Sequence, residues 1–404
     1  MSAGRSVLSS ERGVAMVLAL FALITLGALV SAAVLVTRLD RTTAHNTVYA
    51  AEAQSAAEAG LTSLAAAWTP SLAMTIPIWD GTPYTEWGGG TQALGGNPLI
   101  VHVDSVRRLN RQLFLIRSIG RRLDAGGGVL AELEVGQLVR TVQPTVGVNA
   151  ALTVIDPLSL SGDAFLVSGI NSLPPFWSPA ECDPIDPGGV DDLVGIRSAN
   201  ATGVQPGDVD NVFGFPSRDA AFDPSITSAT FTNFLDFTYL SLAAQPGVKA
   251  LAGGAPIAGV GPVVDALGHC DQTAALNFGE PWRNPPAGAT VLACVDYRPV
   301  VHGIGLTTQF APGTRGQGIL LVDGNLDLTG GFEWVGLVIV RGRIRVSGTG
   351  NSIYGAVLAG GGNLTTAAAG ADVDLRYSAC AVERALGGAT QVRPLGQRSW
   401  FQIY

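Results

Sequence analysis

The sequence predicts an α+β chain: one long N-terminal transmembrane and amphipathic helix, an antiparallel β-sheet head, and a mainly β remainder with the texture of a β-solenoid. Three observations point there. An uncharged apolar run, Val14 to Val36, opens into an Ala-rich stretch with helical periodicity. Three runs rich in β-branched residues follow, separated by turns. Beyond residue 148 short strands alternate with glycine-bearing corners.

The apolar run comes first. Its 23 uncharged residues span roughly 35 Å as helix, enough to cross a hydrocarbon core of about 30 Å. A secretory signal usually has an apolar region of only about 7–15 residues before a small-residue cleavage site, although Ser31-Ala32-Ala33 mimics such a site. Arg5 and Arg12 precede the span and Arg38 and Arg41 follow it, so the positive-inside rule gives no orientation. Between Thr42 and Trp68 there is no Pro and one Gly, so the helix is expected to continue to residue 68. Asn46, Ala50, Ala53, Ala57, Gly60, Leu61 and Leu64 fall on one face; Glu52, Ser55, Glu58 and Thr62 lie opposite. The small-residue stripe suits close docking on a sheet. Within the span, Ala22, Gly27, Ala28, Ser31 and Ala32 suit close approach between helices, and Gly27 is a point where a helix can loosen.

The line RGVAMVLALFALITLGALVSAAV leading into YAAEAQSAAEAGL resembles the N-terminus of PilX-type minor pilins and of the tip pseudopilin of type II secretion. The resemblance covers about the first 65 residues. It implies a leader, residues 1–13, that prepilin peptidase removes after Gly13 on the cytoplasmic side, leaving Val14 as a methylated N-terminus. The helix 14–68 would then anchor the chain in the inner membrane, with the C-terminal region periplasmic or extracellular, and pack against other pilin or pseudopilin subunits. Two positions depart from the common pilin pattern: Val14 stands where Phe or Met is usual, and Leu18 where Glu is usual. That Glu is ascribed the task of neutralising a neighbouring subunit's amine inside lipid, where an unpaired charge is expensive. A subunit lacking it suits an initiating or tip-proximal place. The alternative is a membrane-anchored surface adhesin or envelope protein that is never cut.

Residues 71–98, rich in Gly, Pro and Trp, are expected as a connecting loop. LIVHVDSVRRL, RQLFLIRSIGRRL and GGGVLAELEVGQLVRTV predict an antiparallel meander, which gives a linker and head over 69–148. The region 149–404 is expected to be solenoid-like, strongest over 318–365, because short strands turned at Gly bury their apolar residues only by stacking. A sandwich is the alternative, since the repeat is imprecise. Residues 172–310 are expected as an insertion between rungs, and RYSACAVERALGG as a short helix closing the open end, with Gly387 as its stop.

Composition bears on function. The net charge is −8 with scattered Arg, Lys249 being the one lysine, which argues against a nucleic-acid face. Cys182, Cys270, Cys294 and Cys380 form no CxxC pair; they suit two disulfides in one of three connectivities, or four unpaired small apolar residues. Two disulfides would tie the insertion and the closing helix to the rungs. His45, His102, His269 and His302 are too dispersed for a metal motif, and neither GxSxG nor a Walker loop is present. The acidic loops 181–192 and 206–214 lack EF-hand spacing and are expected as solvated turns. The expectation is therefore a protein without catalytic residues, metal or cofactor, whose partners are other subunits, prepilin peptidase and the inner membrane.

Overall fold

The computed structural model describes residues 11–68, 76–81, 83–110, 112–156, 158–161, 165–182, 192–200, 211–216, 221–282, 293–365, 372–396 and 400–403. Residues 1–10 of the predicted leader, most of the acidic loop 181–192 and residues 206–210 of the loop 206–214 lie outside them. The chain forms two compact units. The first comprises residues 1–67, 78–140 and 394–404, the second residues 68–77 and 141–393.

In the first unit, helix α1 (Glu11–Ala66) is continuous. It packs on a sheet of β1 (Thr85–Leu94), β2 (Asn97–Arg108), β3 (Leu113–Leu123) and β4 (Val129–Val142), each antiparallel to the next. The expected meander is present as β2–β4, while β1 lies inside the stretch 71–98 expected as a connecting loop, and the sheet gains Gln391–Pro394 and Trp400–Ile403 beside β4. Trp400–Ile403 pairs antiparallel with β4, placing Trp400 opposite Gln137 and Ile403 opposite Glu134. The last residues of the chain therefore belong to the head and not to the 149–404 region in which the sequence placed them. Gly136 makes room for this return, since a Cβ there would run into the Phe401 ring.

The second unit is mostly β. Its main sheet runs through parallel pairs from Lys249–Ala252 to Val300–Ile304, Arg315–Val322, Glu333–Val346 and Asn351–Thr365. It continues into Ala150–Val154, Val194–Ser198 and Ala221–Phe222. Two further parallel rows flank this one. Thr307–Gln309 pairs with Asn325–Leu328, which pairs with the end of Glu333–Val346. Asn351–Gly355 pairs with Val373–Tyr377, which pairs with Phe165–Ser168. The segment 172–310 is accordingly not one insertion: several of its strands lie inside the parallel rows. Its strands of two to five residues, set among Pro and Gly, carry too little local periodicity to be read individually.

Alternation along the central strands buries both faces, as parallel sheets require. Leu320, Val322, Val338, Val340, Val357, Ala359, Leu152 and Ile196 point into one core with Phe310, Phe332 and Trp334. Ile319, Leu321, Leu337, Ile339, Ala356 and Leu358 point the other way. They are covered by Val382, Ala385 and Leu386 of the helix Ala379–Gly388 and by Phe231, Phe234, Phe237, Tyr239 and Leu242. That helix, expected to close an end, lies on the flank of the strands; its apolar face matches the outward row of Leu and Ile. Thr238 starts the short helix Tyr239–Ala243 by accepting from Ser241 N, with the reciprocal Ser241 bond completing a capping box. Burial pushes the Tyr239 hydroxyl far above its ordinary range, and the Asp323 carboxylate adds to this.

Glycines mark the corners at a regular interval. Gly318, Gly336 and Gly355 align in register with φ of 104°, 136° and 144°. A Cβ on Gly336 would strike the Gly318 carbonyl, and one on Gly355 the Gly336 carbonyl. Gly324, Gly342 and Gly360 form a second row, in which a Cβ would strike the carbonyls of Leu306, Gly324 and Arg341 respectively. No L side chain fits where the strand spacing of about 4.8 Å leaves no depth.

Both cysteine pairs form disulfides. Cys182–Cys380 joins the segment after Phe165–Ser168 to the flanking helix; Cys270–Cys294 closes a loop within 253–299. Only the first ties that helix to the region once expected as an insertion. The two sulfurs of the second face the buried amide of Asn277.

The corner geometry gives a stability test. In urea unfolding of the full chain in detergent, Gly336→Ala should cost more than about 3 kcal/mol, because the left-handed φ and the carbonyl contact both oppose a Cβ. Gly387→Ala, in the flanking helix with open space around it, should gain about 0.5–1 kcal/mol. Similar small effects from the two would contradict this account of the corners.

Candidate functional site: the helix and the face it docks on

The half of α1 from Val14 to Val48 is exposed along its length, and within it an 18-residue window reaches a mean hydropathy of 2.6. By length and composition it can cross a membrane. Its hydroxyls are already satisfied: Ser31 Oγ donates to the Gly27 carbonyl at 2.8 Å, and Thr37 Oγ1 to that of Ala33 at 2.8 Å. Such internal bonding is what a helix needs where lipid supplies no partner. Ala22, Gly27, Ala28, Ser31 and Ala32 are all exposed, with nothing within 4 Å of a Cβ built on Gly27. Glu11–Gly13 continue the same helix, so Gly13 and Val14 share one helical segment.

The second half docks on the head. Ala53, Ala57, Gly60, Leu61 and Leu64 are buried, as the stripe predicts, and Ala56 joins them. Ala50 is exposed and Asn46 likewise, because the stripe runs past the last turn that the sheet covers. Burying Leu61 and Leu64 contributes about 1.5–3 kcal/mol each. Beneath them lie Val106, Phe114, Ile116, Val135 and Val139, which cross-strand pairing places on one face of the sheet. Gly120 of β3 sets the closeness of the approach, since a Cβ there would meet the backbone of Ala53 and Ala57. Glu52 closes the rim through Arg122 at 2.7 Å.

One part of this interface is polar. His102 and Asp104 of β2 and Ser118 of β3 sit under Gly60, and a Cβ on Gly60 would collide with all three side chains. His102 Nδ1 lies 3.0 Å from Asp104 Oδ2, and both side chains are almost wholly buried. The sequence assigned His102 a satisfied structural place, and its partner is Asp104. His302 likewise pairs with Asp323 at 3.0 Å. His269 is exposed near Asp265, and His45 stacks on Tyr49 one helical turn away.

The opposite face of the sheet holds the linker. Trp79 N donates to the Arg108 carbonyl at 2.8 Å. The Arg107 guanidinium lies 4.7 Å from the Trp79 ring and 3.9 Å from that of Tyr84, and that of Arg117 lies 4.2 Å from the Tyr84 ring. Glu134 then accepts from Arg117 at 3.2 Å. Composition predicts a connecting loop over 71–98; the stretch instead holds β1 and these stacked rings. Its signal was the pairing of Trp and Tyr in the loop with outward Arg in β2 and β3.

No family model matches the chain, and no curated protein matches it in sequence. Among solved structures it is similar to the competence-associated pilin ComZ from Thermus thermophilus, at 13% identity. That likeness covers 88% of this chain and 98% of that one, with a TM-score of 0.24. Nothing further rests on a similarity of that degree.

The docking face makes its own prediction. Gly120→Ala should destabilise the head by more than about 2 kcal/mol, because the clash is with backbone that cannot rotate away. Gly27→Ala should leave head stability unchanged. Hydrogen exchange at Ala53–Leu64 in the full chain reads both: faster exchange in the first variant alone is the expected result.

Proposed function

We propose that this chain is a pilin-like, non-enzymatic subunit of a membrane-rooted filament, placed at or near its initiating end. The observation that carries the reading is the two-part character of α1. One continuous helix is apolar and exposed around its first half, while its second half docks on an antiparallel sheet through small residues. Such a helix can sit in lipid before assembly and pack against other subunits' helices after it. On this reading prepilin peptidase removes residues 1–13, Val14 becomes the N-terminus, and Ala22, Gly27, Ala28, Ser31 and Ala32 form the packing stripe. Leu18 in place of an acidic residue leaves the helix unable to neutralise a preceding amine, which suits the first position.

For the second unit we propose a β-solenoid. Its support is the row of aligned corner glycines at intervals of 18 and 19 residues, with parallel pairing between successive strands. The chain enters this body from β4 and leaves it toward Trp400–Ile403, the antiparallel partner of β4. The body is thus an insertion within the last hairpin of the head, and assembly and display reside in separable parts.

Excision tests this. A chain in which a short turn joins Thr141 to Arg393 should still reach the membrane and should restore filament assembly in cells lacking the full chain. Failure to restore it, with the trimmed chain accumulating at the normal level, would contradict the assembly role.

A further inference from the structure

Cross-strand register places Ser105 and Arg107 of β2, Arg117 of β3 and Glu134 of β4 on the face of the head sheet turned away from α1. Two guanidiniums meet the Tyr84 ring there, Arg107 at 3.9 Å and Arg117 at 4.2 Å from its centroid. They differ in charge balance. Arg117 donates to Glu134 at 3.2 Å and through Nε to Ser105 at 3.2 Å. Arg107 is half-buried, and among the described residues it has no ion pair. Its Nε is shielded from solvent and has no acceptor. Burying a cation without a counter-charge is costly, and stacking on aromatic rings recovers only about 0.5–2 kcal/mol.

The surroundings hold this guanidinium in place. Trp79 N donates to the Arg108 carbonyl and Ile78 bridges to Arg108, which fixes the linker along β2 beyond the end of β1. Trp79, 4.7 Å from Arg107, is 48% exposed, and so is Ile78. An arginine stacked on rings is pre-organised, and its planar fork matches a carboxylate through two parallel hydrogen bonds. Asp80, next to Trp79, and Glu86, opposite Ser105, are exposed at the rim, and no ion pair joins either to Arg107.

We propose that Arg107, with Ile78, Trp79 and Tyr84 around it, is the centre of a protein-docking surface on the head. Its partner is a protein segment presenting one Asp or Glu carboxylate among apolar residues. Charge complementarity selects this occupant. The unmatched cation at the centre takes one carboxylate, and the exposed Ile78 and Trp79 take apolar neighbours. A polyanion or an anionic membrane would bring many negative charges against Asp80 and Glu86. Trp, Tyr and Arg are also the residue types in which interface hot spots are richest. That the partner is a fellow subunit rests on the filament reading; the docking itself does not.

The test uses the full chain in its own cells. p-Benzoylphenylalanine replaces Ile78 or, as a control, Val129, an exposed apolar residue of β4. Illumination should give a discrete protein adduct at 78 and none at 129, and peptide mapping should place it beside an Asp or Glu of the partner. Arg107→Lys should cut that adduct about fivefold or more, because it keeps a cation over Tyr84 and loses the fork. Changing the mapped acid to its amide should cut it to the same degree. Hydrogen exchange over 78–84 should be unchanged in Arg107→Lys, which separates docking from clamping the linker. A mapped, Arg107-dependent adduct to a protein outside any filament sustains the docking and overturns only the filament reading. No adduct at 78, equal adducts at 129, adducts confined to lipid, glycan or nucleic acid, or an adduct that Arg107→Lys leaves undiminished would overturn the proposal. So would faster exchange over 78–84 in Arg107→Lys, which would make Arg107 a clamp for the linker.

Discussion

Close backbone approach is the constraint on which the rest of this molecule depends. Gly120 brings the peptide groups of Ala53 and Ala57 against β3, and Gly60 leaves the space that His102, Asp104 and Ser118 fill. A helix held farther off would leave Leu61, Leu64 and Phe114 with water between them, and the buried His102–Asp104 pair without a lid. The body uses the same device in a different form. Gly318, Gly336 and Gly355 let neighbouring parallel strands approach carbonyl-close in register, with apolar rows on both sides of the sheet. In both units the packing follows from where a Cβ is missing.

That economy shapes the division of labour along the chain. The helix is tied to the head over only its second half, so the first half stays exposed, long and apolar enough to cross a membrane. The linker, which would otherwise be a loose tether, is clamped by the alternation of Trp79, Arg107, Tyr84 and Arg117. The strand Trp400–Ile403 returns to β4, so the body is inserted between strands of one sheet. An inserted body can vary in size without disturbing the surface that docks the helix.

Much of the helix and head was legible in the sequence, because their periodicities are local. The apolar run, the small-residue stripe and the meander were each readable from a window of a dozen residues. The stripe did not reveal where the sheet stops, so Ala50 was included and Ala56 missed. The polar group beneath Gly60 was hidden because its members come from two strands and a helix that only folding brings together. The body was harder for a related reason. Its strands between 172 and 310 are short, and the parallel neighbour of Val194–Ser198 lies about forty residues away, at Ala150–Val154. The glycine interval over 318–360 was the one long-range signal available, and the helix Ala379–Gly388 could not be assigned to a flank without knowing which outward row it would meet.

The most direct test of the central claim concerns the N-terminus. The full chain, expressed with and without a prepilin peptidase and recovered from the membrane, can be measured intact by mass spectrometry. The account predicts a peptidase-dependent start at Val14, bearing a methyl group, with α1 otherwise unbroken. A chain that keeps residues 1–13 in the presence of the peptidase, or one cut near Ala33, would contradict it and leave an ordinary anchor or a secreted protein in its place.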